Sequence, residues 1–157
     1  MSRGTKNAAL LRELAEFRYQ LRQFLAFSEE AAGRRDLPSQ QHQMLLQIAG
    51  AAGGVETTVS YVAERLGLRH HSVVELSKRC EESGLIERKH DVADRRCVVL
   101  QVTAEGERVL RALSEDHARE LHELLPRLVV TLRRICELDG KAAETGGSAG
   151  ERRGERK

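Results

Sequence analysis

Aromatic side chains are nearly missing from this 157-residue chain, which has three Phe, two Tyr and no Trp. Any core must therefore be assembled from Leu, Val, Ile, Ala and Met. Proline is as scarce, with only Pro38 and Pro126. Three cysteines (Cys80, Cys97, Cys136) make an odd set with no CxxC pair, which argues against a disulfide framework or a zinc ribbon. No run approaches the ~20 consecutive apolar residues of a membrane span, so a membrane is not expected as a partner. Arg3 and Lys6 precede no apolar signal core, because Leu10 and Leu11 lead directly into charged residues. Secretion is not expected, and the cytoplasm is the expected compartment. Catalytic signatures are missing too: there is no GxGxxG, P-loop, HExxH or GxSxG, and His122-Glu123 lacks a second histidine. Neither enzymatic activity nor a cofactor is expected.

Excess charge of one sign is also lacking, since the formal net charge is +2. Gly140 to Lys157 holds five basic residues (Lys141, Arg152, Arg153, Arg156, Lys157) and three acidic ones (Glu144, Glu151, Glu155). That segment carries the whole excess, and residues 1–139 sum to zero. A nucleic-acid role must then rest on local placement of charge rather than on bulk basicity. The same segment has five glycines and no Val, Ile, Leu or aromatic residue, so its composition predicts a disordered tail over 140–157.

What the chain does have is helical periodicity. Leu10, Leu14, Phe17, Leu21, Phe24 and Ser28 alternate steps of four and three, the heptad-like stripe of a long amphipathic helix. Leu121, Leu125, Leu128, Leu132 and Ile135 repeat it near the other end. Pro126 interrupts this second stripe, and proline suits the first turn of a helix, so two helices are expected to meet there. Two such stripes flanking a compact middle are either ordinary core or a dimer interface. A chain this short offers little else against which to bury both.

The middle is punctuated differently. Gly33 to Pro38 breaks the first helix, Ser39 is the expected N-cap of a helix through Ala49, and Gly50 to Gly54 is a loop. Thr58 caps a short helix, Val59 to Leu66, ending at Gly67; a further helix from His70 to Ser83 stops at Gly84, a helix-ending glycine. Leu85 to Lys89 and Cys97 to Val102 read as strands around the polar tip His90 to Arg96, and Thr103 caps the next helix. Three helices followed by a β-hairpin is the order of a winged helix-turn-helix. The fold class is therefore mainly α, with a two-stranded β wing and with N- and C-terminal helices forming a dimerisation domain. The boundaries are 1–36 for the N-terminal dimerisation helix, 37–103 for the winged helix-turn-helix, 104–139 for C-terminal dimerisation helices and 140–157 for the tail.

Side-chain placement then suggests an interface. Arg69, His70, His71 and Ser72 put donors at the N-terminal end of a helix, where helical base readers concentrate and free amides face phosphate. Val73, Leu76 and Cys80 fall on one face and are expected to be buried. Glu75, Lys78 and Arg79 lie on other faces, the two cations being available to phosphates. Glu75 either accepts from cytosine N4 or holds Arg79 one turn on. Arg95 and Arg96 occupy the hairpin tip, and arginine suits a narrow minor groove of negative potential. A solvated turn with surface ion pairs is the alternative there.

Leu66-Gly67-Leu68, Ser83-Gly84-Leu85-Ile86-Glu87-Arg88, Asp94-Arg95-Arg96 and Leu100-Gln101-Val102-Thr103-Ala104-Glu105-Gly106, taken as an ordered set, resemble the MarR family of winged helix-turn-helix transcriptional regulators. The match is closest over residues 37–106, and the flanking helices fit the family's dimerisation domain. The resemblance implies a regulator of transcription, a repressor by analogy, working as a homodimer on a pseudo-palindromic double-stranded DNA operator. It implies a recognition helix in the major groove and a wing in the flanking minor groove, with Asp94 orienting the loop while Arg96 enters. Arg69 stands where many relatives have a capping Ser or Thr, and Glu75 stands where many have a polar or basic residue.

Regulation stays open at this level. Phe17, Tyr19, Arg22, Phe24, His42 and Met44 are the candidate ligand pocket, since aromatics plus one cation suit a small aromatic acid; core and interface packing accounts for the same residues. Some relatives sense zinc, and His42, Glu115, His117, Glu120 and His122 offer that chemistry. However, His117 lies in an apolar stripe and reads as an interface histidine rather than a ligand, so no metal is assigned. Peroxide-sensing relatives carry a cysteine near the start of the first helix, where this chain has none. Cys97, beside Arg96, is the thiol expected to be exposed and activated. A metal- or redox-responsive regulator of the same fold, or a winged helix used only for protein contacts, are the alternatives.

Overall fold

The computed structural model describes residues 3–90 and 97–146. The chain runs α1 (Arg3–Gly33), α2 (Ser39–Ala49), α3 (Val59–Leu66), α4 (His70–Glu82), β1 (Ile86–His90), β2 (Val98–Val102) and α5 (Ala104–Gly146). The strands pair antiparallel with Ile86 opposite Val102 and His90 opposite Val98. The expected winged helix-turn-helix with its two-stranded wing is therefore present.

Local chemistry explains most boundaries. The Thr58 hydroxyl accepts from the Tyr61 amide at 3.1 Å and starts α3, and the Thr103 hydroxyl does the same for Gly106 in α5. Both are side-chain N-caps. α3 and α4 end alike. Gly67 and Gly84 adopt φ of +63° and +70°, and the amides of Leu68 and Leu85 turn back to the carbonyls of Ala63 and Cys80. This closure needs a left-handed residue, which glycine supplies without steric cost.

Three expectations need correction. Ser39 is not an N-cap: Pro38 takes that position without any side-chain cap bond, and Ser39 is already helical. Pro126 does not separate two helices, because α5 passes through it unbroken. Proline removes one amide donor, but Pro126 is exposed, so water can satisfy the freed carbonyl, and the flanking Leu, Glu and Arg are strong helix formers. Finally, α5 continues to Gly146, past the compositional break at 140; residues 147–157 lie outside the described ones.

The chain forms two compact units, Phe27–Arg119 and the helical ends Met1–Ala26 with Glu120–Lys157. The first reaches beyond 37–103 on both sides, taking the last turns of α1 and the first of α5. Its core joins Met44 and Leu45 of α2, Val62 of α3, Val73, Leu76 and Cys80 of α4, Ile86 and Leu100 of the wing, and Leu113 of α5. Each such side chain contributes about 1.5–3 kcal/mol on burial. Gly106 marks the tightest approach: a Cβ there would collide with the Leu85 carbonyl and lie 2.6 Å from Val102 Cγ1. In the second unit α1 and α5 meet through a buried polar pair that the periodicity did not reveal. The Gln20 amide donates to Thr131 Oγ1 at 3.1 Å and to Glu16 at 2.8 Å.

Candidate nucleic-acid interface

α4 is two-faced, and burial shows how. Val73, Leu76, Ser77 and Cys80 are buried against the core, as the spacing predicts for the three apolar ones. Arg69, His70, His71, Glu75, Lys78 and Arg79 are exposed, and Ser72 is half-buried. Arg69 occupies the N-cap position but makes no side-chain cap bond, and its carbonyl receives the amides of Ser72 and Val73. The first amides of α4 therefore have no capping side chain, and a bound anion can take them.

Glu75 pairs with Lys78, not with Arg79 as expected: Lys78 Nζ donates to Glu75 Oε1 at 2.8 Å. This bond holds the Glu75 carboxyl below the usual range, with Arg79 a minor influence. Arg79 is then the less committed cation of the two. Asp94, Arg95 and Arg96 lie outside the described residues, so their expected roles at the wing tip have no structural description.

The wing carries features that the linear reading missed. The Leu100 amide donates to the Thr57 carbonyl at 2.9 Å, and Thr58 bridges antiparallel to Val99. The segment leading into α3 thus pairs with β2 and ties the helix-turn-helix to the wing. The β-branched run Thr57-Thr58-Val59 was the available signal. Lys89 on β1 is exposed and bonded to Gln101 at 2.7 Å. Glu81, near the end of α4, accepts from the Arg88 amide at 3.2 Å and lies 3.6 Å from its guanidinium.

The remaining candidates are dispersed. Met44 is fully buried in the core, and His42 is also buried. Phe17, Tyr19, Arg22 and Phe24 belong to the helical-end unit, where Tyr19 borders a cavity of about 200 Å³ with Glu16, Gln23 and Arg127. His42 stacks on His117 with ring centroids 5.1 Å apart and planes 5° from parallel. The Phe27 and His117 rings meet nearly perpendicular, with centroids 5.9 Å apart, and His117 Nε2 is 2.9 Å from Ser28 Oγ. Burial, reinforced by His117, pushes His42 down to about 4, so it is neutral near pH 7. Among the described residues no three His, Cys, Asp or Glu side chains gather as a metal set. Cys80 is buried, and burial pushes its thiol up to about 12. The exposed thiol is Cys136, while Cys97 is half-buried, which corrects the expectation for Cys97: it sits at the entry to β2, whereas Cys136 is on the open face of α5. No described helix is long and apolar enough to cross a membrane.

With this geometry in place, the comparisons agree on one architecture. The sequence pattern of the MarR family matches residues 35–96. The HTH-type transcriptional repressor MdtR of Bacillus subtilis is 34% identical over 91 residues, covering 55% of this chain and 59% of that protein. The chain spans about half the length of the curated relatives it matches. A MarR family protein from Bacillus stearothermophilus superposes with a TM-score of 0.65 at 22% identity, over 91% of this chain and 99% of the other. The S. aureus MepR–DNA complex gives 0.64 at 18% identity, over 83% and 94%.

Proposed function

Because residues 35–96 match the pattern of the MarR family, we propose that the chain is a sequence-specific DNA-binding transcriptional regulator that acts as a homodimer on a pseudo-palindromic operator. The observation that carries this reading is the two-faced α4, which buries Val73, Leu76 and Cys80 and presents Arg69, His70, His71, Lys78 and Arg79 outward. In this reading Arg69, His70, His71 and Ser72 meet base edges and phosphates at the N-terminal end of the helix. Lys78 and Arg79 meet phosphates, and Glu75 restrains Lys78. Asp94 and Arg95 shape the wing tip and Arg96 enters the minor groove. Repression is the mode that the name of MdtR carries, and it is adopted here by analogy. Release by a small ligand belongs to the same reading, through preference for an arrangement that misfits DNA, with coupling of ~1–3 kcal/mol.

Among the described residues, ten of the twelve exposed large apolar side chains, including Leu11, Leu25, Leu125 and Val130, lie on the helical ends. Uncovered, they form an apolar surface of the kind that marks an interface, and a second copy of the same helices is the occupant that a palindromic operator requires. The test is duplex binding across a salt series. Phosphate neutralisation releases counterions, so affinity must fall steeply with salt, and Arg79→Ala should lower the logarithmic slope by about one. A flat salt response would instead favour a winged helix that contacts only protein.

A further inference from the structure

We propose that Glu81 and Arg88 form a clasp that fixes the angle of the wing against the recognition helix, making both positioning residues for duplex recognition; the proposal rests on the DNA-binding reading above. α4 and β1 are joined by the short turn Ser83-Gly84-Leu85. That turn is held by the Leu85 amide on Cys80 and by the Thr103 amide on the Leu85 carbonyl. These bonds fix where the strand begins. Further along, the Thr57–Leu100 bond and the Thr58–Val99 bridge hold the ribbon by its β2 edge, and the β1 edge, which faces the recognition helix, needs a point of its own.

Glu81 supplies that point twice from one carboxylate. Its Oε1 accepts from the Arg88 main-chain amide at 3.2 Å, and its Oε2 is 3.6 Å from Arg88 Nη1. β1 already pairs with β2 along its other edge, Arg88 standing opposite Leu100. The bond from Glu81 therefore occupies the edge of β1 that the sheet leaves free. The Arg88 side chain is only 19% exposed, and its Nε is buried with no hydrogen-bond partner among the described residues. Its charge thus depends on Glu81, and a cation left poorly compensated there would be driven to move.

The consequence for recognition is preorganisation. A helix in the major groove and a wing in the adjacent minor groove must meet the duplex together. If the wing direction is loose, the flank contact carries an ordering cost each time the complex forms. With the clasp closed, that cost is met during folding.

The experiment uses the full chain, an operator duplex recovered by selection, and the same duplex with the base pairs under the wing replaced. For the wild type, replacing the flank should weaken binding about tenfold. Glu81→Ala should weaken binding to the intact operator about tenfold and reduce the flank penalty towards none. Glu81→Gln keeps an acceptor for the Arg88 amide and Arg88→Lys keeps the cation, so both should fall between. They also carry the test if Glu81→Ala fails to fold, as judged by its thermal transition. Folded variants that keep the wild-type flank penalty, whether at full affinity or uniformly weakened, would overturn the clasp. A wild type that shows no duplex preference would overturn the DNA-binding reading itself, a separate result.

Discussion

His42 and His117 show how much a single contact can change a residue's meaning. His42 is buried and stacked on His117, and its proton affinity is pushed down to about 4. In the unfolded chain the same imidazole titrates near the ordinary ~6.5. The unfolded state therefore takes up a proton first as pH falls. The stabilising contribution is complete above about pH 6.5 and is lost progressively as pH drops towards about 4. Denaturant melts at pH 7 and pH 5 should show the larger part of this loss. His42→Leu should flatten the difference, whereas an unchanged acid limb in that variant would assign the sensitivity to other groups. The sequence placed His42 among pocket candidates because imidazole, aromatics and a cation share a chemistry. It could not show the stack, which arises only when α2 and α5 pack. By contrast, the burial of Val73, Leu76 and Cys80 was readable, because one helical period fixes it.

Element ends were legible for the same local reason. Thr58, Gly67, Gly84 and Thr103 mark their helices by bonds to residues within one or two turns, and such chemistry is written in adjacent residues. Pro126 was misread because tolerance of a helical proline depends on exposure, which periodicity does not report. The Thr57–Leu100 pairing was not legible because it joins distant segments. Glu81 escaped notice because its role exists only once β1 folds back along α4. Two substitutions test the elements. Gly106→Ala forces a methyl into the Leu85 carbonyl and Val102 and should destabilise by ~1–3 kcal/mol in a thermal or denaturant melt. Gly84→Ala imposes a side chain at φ +70°, where about 1–2 kcal/mol of strain is expected. Wild-type stability in either variant would mean that the turn joining α4, β1 and α5 relaxes freely.

At the scale of the whole molecule, neutral charge and aromatic poverty acquire a physical sense. The formal excess of +2 lies at the C-terminal end, so the proposed recognition rests on where Arg69, Lys78 and Arg79 stand as exposed residues at and along α4. The aromatics concentrate on α1, and Leu and Val form the uncovered stripes of α1 and α5. If these stripes join two copies, a charge placed in them should separate the copies. Leu125→Glu should shift the protein to monomer in sedimentation and lose most operator affinity, because one half-site supplies only part of the binding energy. A dimer that persists through Leu125→Glu and Leu25→Glu together would place the interface elsewhere.

The measurement that bears most directly on the function is selection of bound duplexes from a random library by the full chain at fixed salt. A recovered palindrome with half-sites about one helical turn apart, ~34–36 Å, is the expected result. Recovery of no preferred sequence, with binding indifferent to salt, would contradict DNA recognition by this winged helix.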